Sequence, residues 1–357
     1  MPTGTNAFLL YSLFISLIAL LLGFDLFVLN RKHQTIHAGK AVRQAGLWAS
    51  LGLAFCAVIY WLYDSHAFGL GTSSPAIVGM PSTGKGAAAL FLQGYLLELM
   101  LSLDNMMVIG MILRYFAVPP HLQHRVLFWG ILGAVILRGT MIAVGSALVQ
   151  SFDWVIYVFG AVLLFSAYKL FFLADDGDTD LSKNRIVRVT RAILPLSPNF
   201  DGPNFITRSP SGSWLATPLL LALIVVEAID VVFAIDSIPA IFGITRDPFI
   251  VLTSNCFAIL GLRAIYFAVA ALVHKFQKLK TAMIVILLFI GIKMLLPGTF
   301  KLISWAVAQS GPDRSWSPPD SWLHAIESPY LSLTVILSIM AGGIVASLVA
   351  NNRQPTN

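Results

Sequence analysis

The stretch LLLALIVVEAIDVVFAIDSIPAIFG, from Leu219 to Gly243, decides the fold of this chain. It is long and apolar enough to cross a bilayer, since a transmembrane helix needs ~20 predominantly apolar residues. It also carries three carboxylates, Glu227, Asp230 and Asp236. A charged side chain at the bilayer centre costs roughly 2.5–3.5 kcal/mol on insertion scales. Three such groups in one span therefore indicate an ion or proton pathway.

The composition of the whole chain is typical of a polytopic membrane protein. Of its 357 residues, 57% are hydrophobic and 11% are charged, whereas soluble domains carry about 25% charged residues. The formal net charge of +6 does not indicate nucleic-acid binding, because Lys and Arg gather in the cytoplasmic loops of membrane proteins. No catalytic triad, P-loop or dinucleotide fingerprint is present, so we expect neither an enzyme nor a cofactor.

Nine apolar runs are long enough to cross the membrane, and we predict an all-α fold in which each run forms a transmembrane helix. The runs cover residues 7–29, 46–63, 87–113, 126–150, 153–173, 215–243, 248–273, 281–303 and 329–350. If the N-terminus lies outside, fifteen Lys and Arg residues face the cytoplasm and four face outward. This bias follows the positive-inside rule and predicts a cytoplasmic C-terminus.

Two of the nine spans carry the same acidic pattern. Residues 98–105 read ELMLSLDN and residues 230–237 read DVVFAIDS, in each case an acid, five largely apolar residues, an Asp and a small polar residue. The two spans that follow each pattern carry a late arginine and a late lysine: Arg138 and Lys169 in the first unit, Arg263 and Lys293 in the second. Spans three to five therefore correspond to spans six to eight.

Each repeated unit holds three spans, an odd number, so the two units insert with opposite orientations. Secondary transporters share this inverted-topology repeat, and their ion sites lie near the bilayer midplane where the repeats meet. We predict two peripheral transmembrane helices (1–86), a first three-helix repeat (87–173), a cytoplasmic loop (174–214), a second three-helix repeat (215–303), an external loop (304–328), and a last transmembrane helix with a short cytoplasmic tail (329–357).

The two acidic patterns supply oxygen-bearing side chains that suit a metal ion. We predict a metal site formed by Glu98, Asp104, Asn105, Glu227, Asp230 and Asp236. All-oxygen sites suit the hard cations Mg²⁺, Ca²⁺ and Mn²⁺. Met106 and Met107 directly follow Asp104 and Asn105, and a thioether near an oxygen site favours Mn²⁺. The five acids carry more negative charge than one divalent ion can balance. We therefore hypothesise that export is proton-coupled, with one or more acids taking up a proton as the metal leaves.

The sequence leaves open how the acids are arranged. Asp230 and Asp236 are six residues apart, so an unbroken helix would turn them roughly 120° apart. A break near Pro239 could bring both acids to one ion, or the facing repeats could supply ligands from both sides. Alternatively, the acids could form a structural salt-bridge network with the basic residues of the spans: Arg138, Arg263, Lys169 and Lys293.

Three stretches resemble the TerC family of bacterial and plastid membrane proteins, which is named for tellurium resistance: ELMLSLDN (98–105), EAIDVVFAIDSIPAIFG (227–243) and FAILGLRAIYF (257–267). The resemblance covers residues 87–296 and implies a nine-span inner-membrane protein, grouped with LysE-like exporters, of which several members are associated with Mn²⁺ export. It implies functional acids at Glu98, Asp104, Glu227, Asp230 and Asp236. The chain departs from the family pattern at Met100, Met106 and Met107, which bears on packing or selectivity.

The sequence therefore predicts a secondary transporter of the bacterial inner (plasma) membrane. We expect it to export a divalent cation, with Mn²⁺ as the first choice and Ca²⁺ or another cation as alternatives. Its environment is the lipid bilayer, no nucleic-acid partner is expected, and the oligomeric state is open. The alternative function is a non-transport scaffold or assembly factor in tellurite or stress resistance. Glu227 has no counterpart in the first repeat, where Tyr95 stands, so it is expected to make the site asymmetric.

Overall fold

The computed structural model describes residues 4–25, 38–72, 80–172, 185–209, 211–262, 264–266, 279–309, 317–319, 322, 326 and 328–352. Its helices and strands are α1 (Thr5–Phe24), α2 (Ala38–Asp64), α3 (Gly84–Tyr115), α4 (Pro120–Ser151), α5 (Val155–Phe172), α6 (Arg185–Ile193), β1 (Ile206–Arg208), β2 (Trp214–Ala216), α7 (Pro218–Phe242), α8 (Pro248–Leu260), α9 (Leu279–Gln309) and α10 (Pro329–Asn352).

The described helices confirm an all-α polytopic membrane protein. Eight of them are long and apolar enough to cross a membrane, namely α1 to α5, α7, α9 and α10. The predicted span 248–273 begins with α8, an apolar helix of 13 residues. Residues 263 and 267–278, which include Arg263, lie outside the described residues. The inside–outside orientation stays a prediction.

The local chemistry of the chain sets the helix ends. Thr83 caps α3, because its Oγ1 accepts a hydrogen bond from the amide of Gly86 at 3.1 Å. Asp247 caps α8, because its Oδ1 accepts from the amides of Phe249 and Ile250 at 3.0 and 3.3 Å. Helices α4, α7 and α8 each have a proline in the first turn, where the missing N–H leaves no helical hydrogen bond unmade.

Asp247 also anchors α8 to α2. The hydroxyl of Tyr63 donates a hydrogen bond to Oδ2 of Asp247 at 2.7 Å, and both side chains are buried. Burial raises the pKa of the Asp247 carboxyl, although the hydrogen bonds from Tyr63 and from the two amides of α8 act in the opposite direction. The cap therefore joins two helices at one end of the bundle.

The long helices pack mainly as three pairs. Helix α3 lies against α8, α4 against α7, and α5 against α9. Helices α3 and α7 also touch each other, while α2 packs on α3, and α10 packs on α9 and α3. Glycines allow close approach in two of the pairs: a Cβ added to Gly94 of α3 would lie 2.7 Å from Oγ of Ser254, and one added to Gly291 of α9 would lie 2.9 Å from Leu164.

Helix α7 is continuous from Pro218 to Phe242, and Pro239 lies within it. The chain is helical from Asp230 through Asp236 and beyond Pro239, so no break brings these two acids to one face. The spacing of six residues then directs them toward different neighbours.

The predicted cytoplasmic loop 174–214 contains a helix in its basic stretch, where the sequence allows a short amphipathic surface helix, and a hairpin that the sequence does not predict. Helix α6 packs on α7 and buries Val187. Strands β1 and β2 form an antiparallel hairpin in which Ile206 faces Ala216 and Arg208 faces Trp214. On the opposite side of the predicted topology, α9 continues to Gln309 and so enters the predicted external loop 304–328.

Candidate functional site

An ion cluster around Arg138 lies inside the transmembrane bundle. Helix α4 carries this guanidinium into the space between α3 and α7, where the residue is 1% exposed. Its Nε and Nη2 donate to the two carboxylate oxygens of Asp230 at 3.1 and 2.8 Å. Its Nη1 donates to Oε1 of Glu98 and lies 3.4 Å from Oγ of Ser237. One arginine thus ties the acid of α3 to the acid of α7.

Glu98 accepts hydrogen bonds from two further side chains. Oγ of Ser102, one turn later on α3, donates to Oε1 at 3.2 Å. Nδ2 of Asn255, on α8, donates to Oε2 at 3.0 Å. Glu98 is 2% exposed and Asn255 is 1% exposed. These donors offset part of the cost of burying a carboxylate, which is tolerated only when it is paired and hydrogen-bonded.

Glu227 lies one turn before Asp230 on α7, and its carboxyl group packs directly on Gly133 of α4. A Cβ added to Gly133 would overlap both carboxyl oxygens, so the Glu227 side chain would have to move away from the position it holds here. Oε2 of Glu227 is buried and has no hydrogen-bond partner within the described part of the chain. Glu227 is therefore held beside the ion cluster, and its Oε2 has no hydrogen-bond donor within the described residues.

Asp236 and Asp104 lie outside the Arg138 cluster. Oγ of Ser166, on α5, donates to Oδ1 of Asp236 at 2.5 Å, and the charge of Lys169 acts on the same carboxyl group. Asp104 is half-buried on α3 and lies in the field of Lys280, at the start of α9. The positive charge of a lysine on α5 thus acts on Asp236, and that of a lysine on α9 acts on Asp104.

The structure brings together two of the six predicted metal ligands and keeps the others nearby or apart. Glu98 and Asp230 share Arg138, and Glu227 lies next to Asp230 on α7. Asp104, Asp236 and the buried Asn105 do not join the Arg138 cluster through any hydrogen bond or ion pair found among the described residues. In that same part of the chain, no three His, Cys, Asp or Glu side chains form a group that could hold a metal ion. The six-residue metal site stays a prediction.

The alternative of a salt-bridge network describes part of what is observed. Arg138 pairs with two acids, and Lys169 acts on Asp236. Nζ of Lys293 instead donates to Oγ of Ser332 at 2.8 Å. Arg263 lies outside the described residues.

A small cavity reaches the ion cluster beside Asp230. Its volume is about 20 Å³, which is room for about one water molecule or one bare ion. Asp230 lines it together with Met106 of α3, Gly130 and Ala134 of α4, and Val226 of α7. Met106 and Asp230 therefore both line this small cavity, whose other walls are aliphatic side chains and a glycine.

The profile of the integral membrane protein TerC family matches residues 83–355. The chain belongs to the TerC family. The match includes all six predicted site residues as well as Arg138 and Asn255. No solved structure matches this TerC-family chain.

Related proteins occur in bacteria and in a plant. An uncharacterized membrane protein of Myxococcus xanthus is 38% identical over 348 residues, which cover 98% of this chain and 94% of the relative. Alx of Escherichia coli, whose name proposes a membrane-bound redox modulator, is 43% identical over 289 residues, 81% of this chain and 86% of the relative. The chloroplastic thylakoid membrane protein TERC of Arabidopsis thaliana is 46% identical over 230 residues, 64% of this chain and 58% of the relative.

Proposed function

We propose that this TerC-family protein is a secondary transporter that exports a divalent cation across the bacterial inner membrane. The observation that carries the proposal is the buried cluster of Glu98, Arg138 and Asp230 between membrane-spanning helices. Ionisable side chains inside transmembrane bundles are costly and mark ion pathways. Two carboxylates and one guanidinium carry a net charge of −1 when all three are ionised, so the cluster attracts a cation.

The helix packing supports an inverted repeat that relates α3–α5 to α7–α9. A two-fold exchange of these units turns the α3–α8 pair into the α7–α4 pair and leaves the α5–α9 pair unchanged. These pairs are among those that pack most extensively. The acids Glu98 and Asp230 then occupy equivalent places on the first helix of each unit, where repeat interfaces of transporters hold their ions.

The remaining acids suit a route on either side of the cluster. Asp104 follows Glu98 by six residues and Asp236 follows Asp230 by six residues, a distance of about 9 Å along each helix. In an inverted repeat the two helices run in opposite directions. Asp104 would then face the cytoplasmic side of the cluster and Asp236 the outer side, so a cation meets one carboxylate on entry and another on exit.

Manganese is the proposed cargo for reasons of ligand chemistry and of family resemblance. The candidate ligands are oxygen atoms, which suit hard divalent cations. Met106 lines the cavity beside Asp230, and a thioether at such a site favours Mn²⁺ over Mg²⁺ and Ca²⁺. As the cation leaves, one or more acids would take up protons, because unpaired buried carboxylates are costly in their charged form.

A non-transport role is the second candidate. The observation that favours it is that the carboxylates of Glu98 and Asp230 already accept hydrogen bonds from protein donors, as in a static structural cluster. The name of the Escherichia coli relative, which proposes redox modulation, also fits a membrane scaffold or a stress-resistance factor.

Reconstitution separates the two candidates. Purified protein in liposomes should move Mn²⁺ by itself, and Asp104→Asn and Asp236→Asn should each slow the flux at least tenfold. Asp153→Asn is the control, because the Asp153 side chain is 94% exposed in a short connection between helices. Folded wild-type protein without flux would favour the scaffold, and unchanged flux in both variants would refute the site. If the Mn²⁺ flux is the same with and without an imposed pH gradient, the proton-coupling hypothesis is wrong.

A further inference from the structure

Asn255 is a buried polar residue of α8 whose amide is half satisfied. Its Nδ2 donates to Oε2 of Glu98 at 3.0 Å. Its Oδ1 is buried, and no hydrogen-bond donor reaches it from the described residues. An unpaired buried acceptor costs about 1–3 kcal/mol. An oxygen in this condition, beside a buried carboxylate in an ion pathway, is available to a ligand.

The packing of α3 on α8 fixes this amide next to Glu98. Gly94 lies one turn before Glu98, and a Cβ added there would lie 2.7 Å from Oγ of Ser254, the neighbour of Asn255. The two helices therefore approach each other closely at the level of the site. The backbone at Asn255 is therefore held close to α3, so the amide can change its orientation toward Glu98 by rotation of its side chain.

Asn255 and Arg138 lie on α8 and α4, two helices that the proposed exchange of the helix units relates to each other. At the α7–α4 crossing the acid Asp230 meets Arg138, and at the α3–α8 crossing the acid Glu98 meets Asn255. The two residues differ in one decisive property. A guanidinium has donors only, whereas an amide has both donors and an acceptor oxygen, and amide oxygens are ordinary ligands of hard cations.

We propose that Asn255 is a ligand of the transported divalent cation, together with Glu98. The inference rests on the proposed transport function. Nδ2 of Asn255 and Nη1 of Arg138 donate to Glu98 at the positions that the cation would take. When the cation enters, the Asn255 amide rotates by half a turn about its Cβ–Cγ bond, so that Oδ1 faces the cation. Nη1 of Arg138 leaves Glu98, while Nε and Nη2 stay on Asp230.

The charges and the ligand atoms are consistent with this exchange. The divalent cation changes the net charge of the cluster from −1 to +1, and the Arg138–Asp230 pair stays neutral throughout. Oγ of Ser102, which now donates to Glu98, can instead present an oxygen lone pair to the cation. One carboxylate, one amide and one hydroxyl oxygen suit a hard divalent cation and disfavour Zn²⁺, which prefers nitrogen or sulfur ligands.

Two substitutions of similar size test the ligand role in the full-length protein. Asn255→Leu removes the oxygen and the donor, whereas Asn255→Asp keeps an oxygen and removes the donor. Thr253→Val is the matched control, because Thr253 is buried on the same helix and its Oγ1 bonds the carbonyl of Phe249 in its own backbone at 2.7 Å. The measurements are the Mn²⁺ concentration for half-maximal flux and the shift in unfolding temperature on adding Mn²⁺.

We expect Asn255→Leu to raise the half-maximal Mn²⁺ concentration at least tenfold, and Thr253→Val to leave it unchanged. Asn255→Asp should unfold at a lower temperature than wild type without Mn²⁺, because two adjacent carboxylates repel each other. Added Mn²⁺ should restore the unfolding temperature of Asn255→Asp, since the cation bridges the two carboxylates.

Other outcomes would overturn the inference. A wild-type response to Mn²⁺ in Asn255→Leu would show that Asn255 does not bind the cation. Loss of the Mn²⁺ response in Asn255→Asp as well as in Asn255→Leu would show that the residue acts only as a donor that positions Glu98. If wild-type protein itself neither responds to Mn²⁺ nor moves it, the proposed transport function fails too, whereas an unchanged Leu variant beside a responsive wild type defeats this inference alone.

Discussion

Replacing Arg138 by methionine is the sharpest test of the ion cluster. The side chains are similar in length, so methionine can occupy much of the same space between α3 and α7. The substitution removes the positive charge shared by Glu98 and Asp230, which are 2% and 8% exposed. Both carboxyl groups then remain buried without the donor that now pairs them.

The size of the effect follows from the hydrogen bonds that the substitution removes. Taking away one partner of a buried ion pair costs about 3–5 kcal/mol, because an uncompensated charge is left behind. Arg138 serves two carboxylates through three hydrogen bonds, so we expect the upper end, about 5 kcal/mol. At ~2–4 °C per kcal/mol, the unfolding temperature should fall by at least ~10 °C.

The assay is thermal unfolding of the purified protein in detergent, with a rescue as its control. The triple variant Glu98→Gln, Arg138→Met, Asp230→Asn replaces all three charges by neutral side chains of similar size. A buried amide costs less than a buried unpaired charge, so the triple variant should regain at least half of the lost unfolding temperature. It should not transport, since the carboxylates are gone.

Two results would refute the reasoning. If Arg138→Met unfolds at the wild-type temperature, Glu98 and Asp230 do not depend on an ionised pair in the folded protein. If the triple variant is as unstable as the single variant, the loss came from packing around the arginine side chain and not from the unpaired carboxylates.

Two further substitutions test other parts of the site and its frame. Gly133→Ala places a methyl group on the Glu227 carboxyl and should slow cation flux at least tenfold, whereas Gly139→Ala on the same helix, whose added Cβ would have its nearest neighbour at 3.9 Å, should leave flux unchanged. Equal flux in the two variants would contradict the close approach of Glu227 to Gly133. Asp247→Ala removes the α8 cap and leaves the buried Tyr63 hydroxyl unpaired, so the free energy of unfolding should fall by about 2 kcal/mol. The asparagine of Asp247→Asn can still cap α8 and accept the hydrogen bond of Tyr63. If thermal unfolding shows that Asp247→Asn loses as much stability as Asp247→Ala, this explanation is wrong.

Local sequence spacing predicted which acids share a helix face, because helical geometry depends on residue number alone. Asp230 and Asp236 were expected to point roughly 120° apart on an unbroken helix, and the structure directs them to Arg138 of α4 and Ser166 of α5. Ser102, four residues after Glu98, is also placed correctly by this rule. The spacing of four residues is enough to identify Ser102 as a partner of Glu98, although the predicted metal site does not include it.

Long-range pairing could not be predicted in the same way. Asn255 lies in an apolar helix 157 residues from Glu98, and nothing in its neighbourhood identifies the acid it will meet. The repeat pairs Arg138 with Arg263, which lies outside the described residues, so that pairing stays a prediction. What the structure adds is the position of Asn255 at the crossing of α8 with α3. That position depends on the close approach of α3 to α8, which Gly94 permits through its lack of a side chain.

The unequal partners of the two acids suit the proposed role of the site, which must bury two carboxylates stably and still attract a divalent cation. Two guanidinium groups would neutralise both Glu98 and Asp230 and leave no reason for a cation to enter. Two amides would leave two buried carboxylates without a counter-charge, which the low-dielectric interior penalises by several kcal/mol. Within the described part of the chain, one arginine and one asparagine give a net charge of −1, with every carboxylate oxygen of the pair hydrogen-bonded. The asymmetry expected from Glu227 is therefore accompanied by a second one, because α4 offers an arginine to Asp230 and α8 offers an asparagine to Glu98.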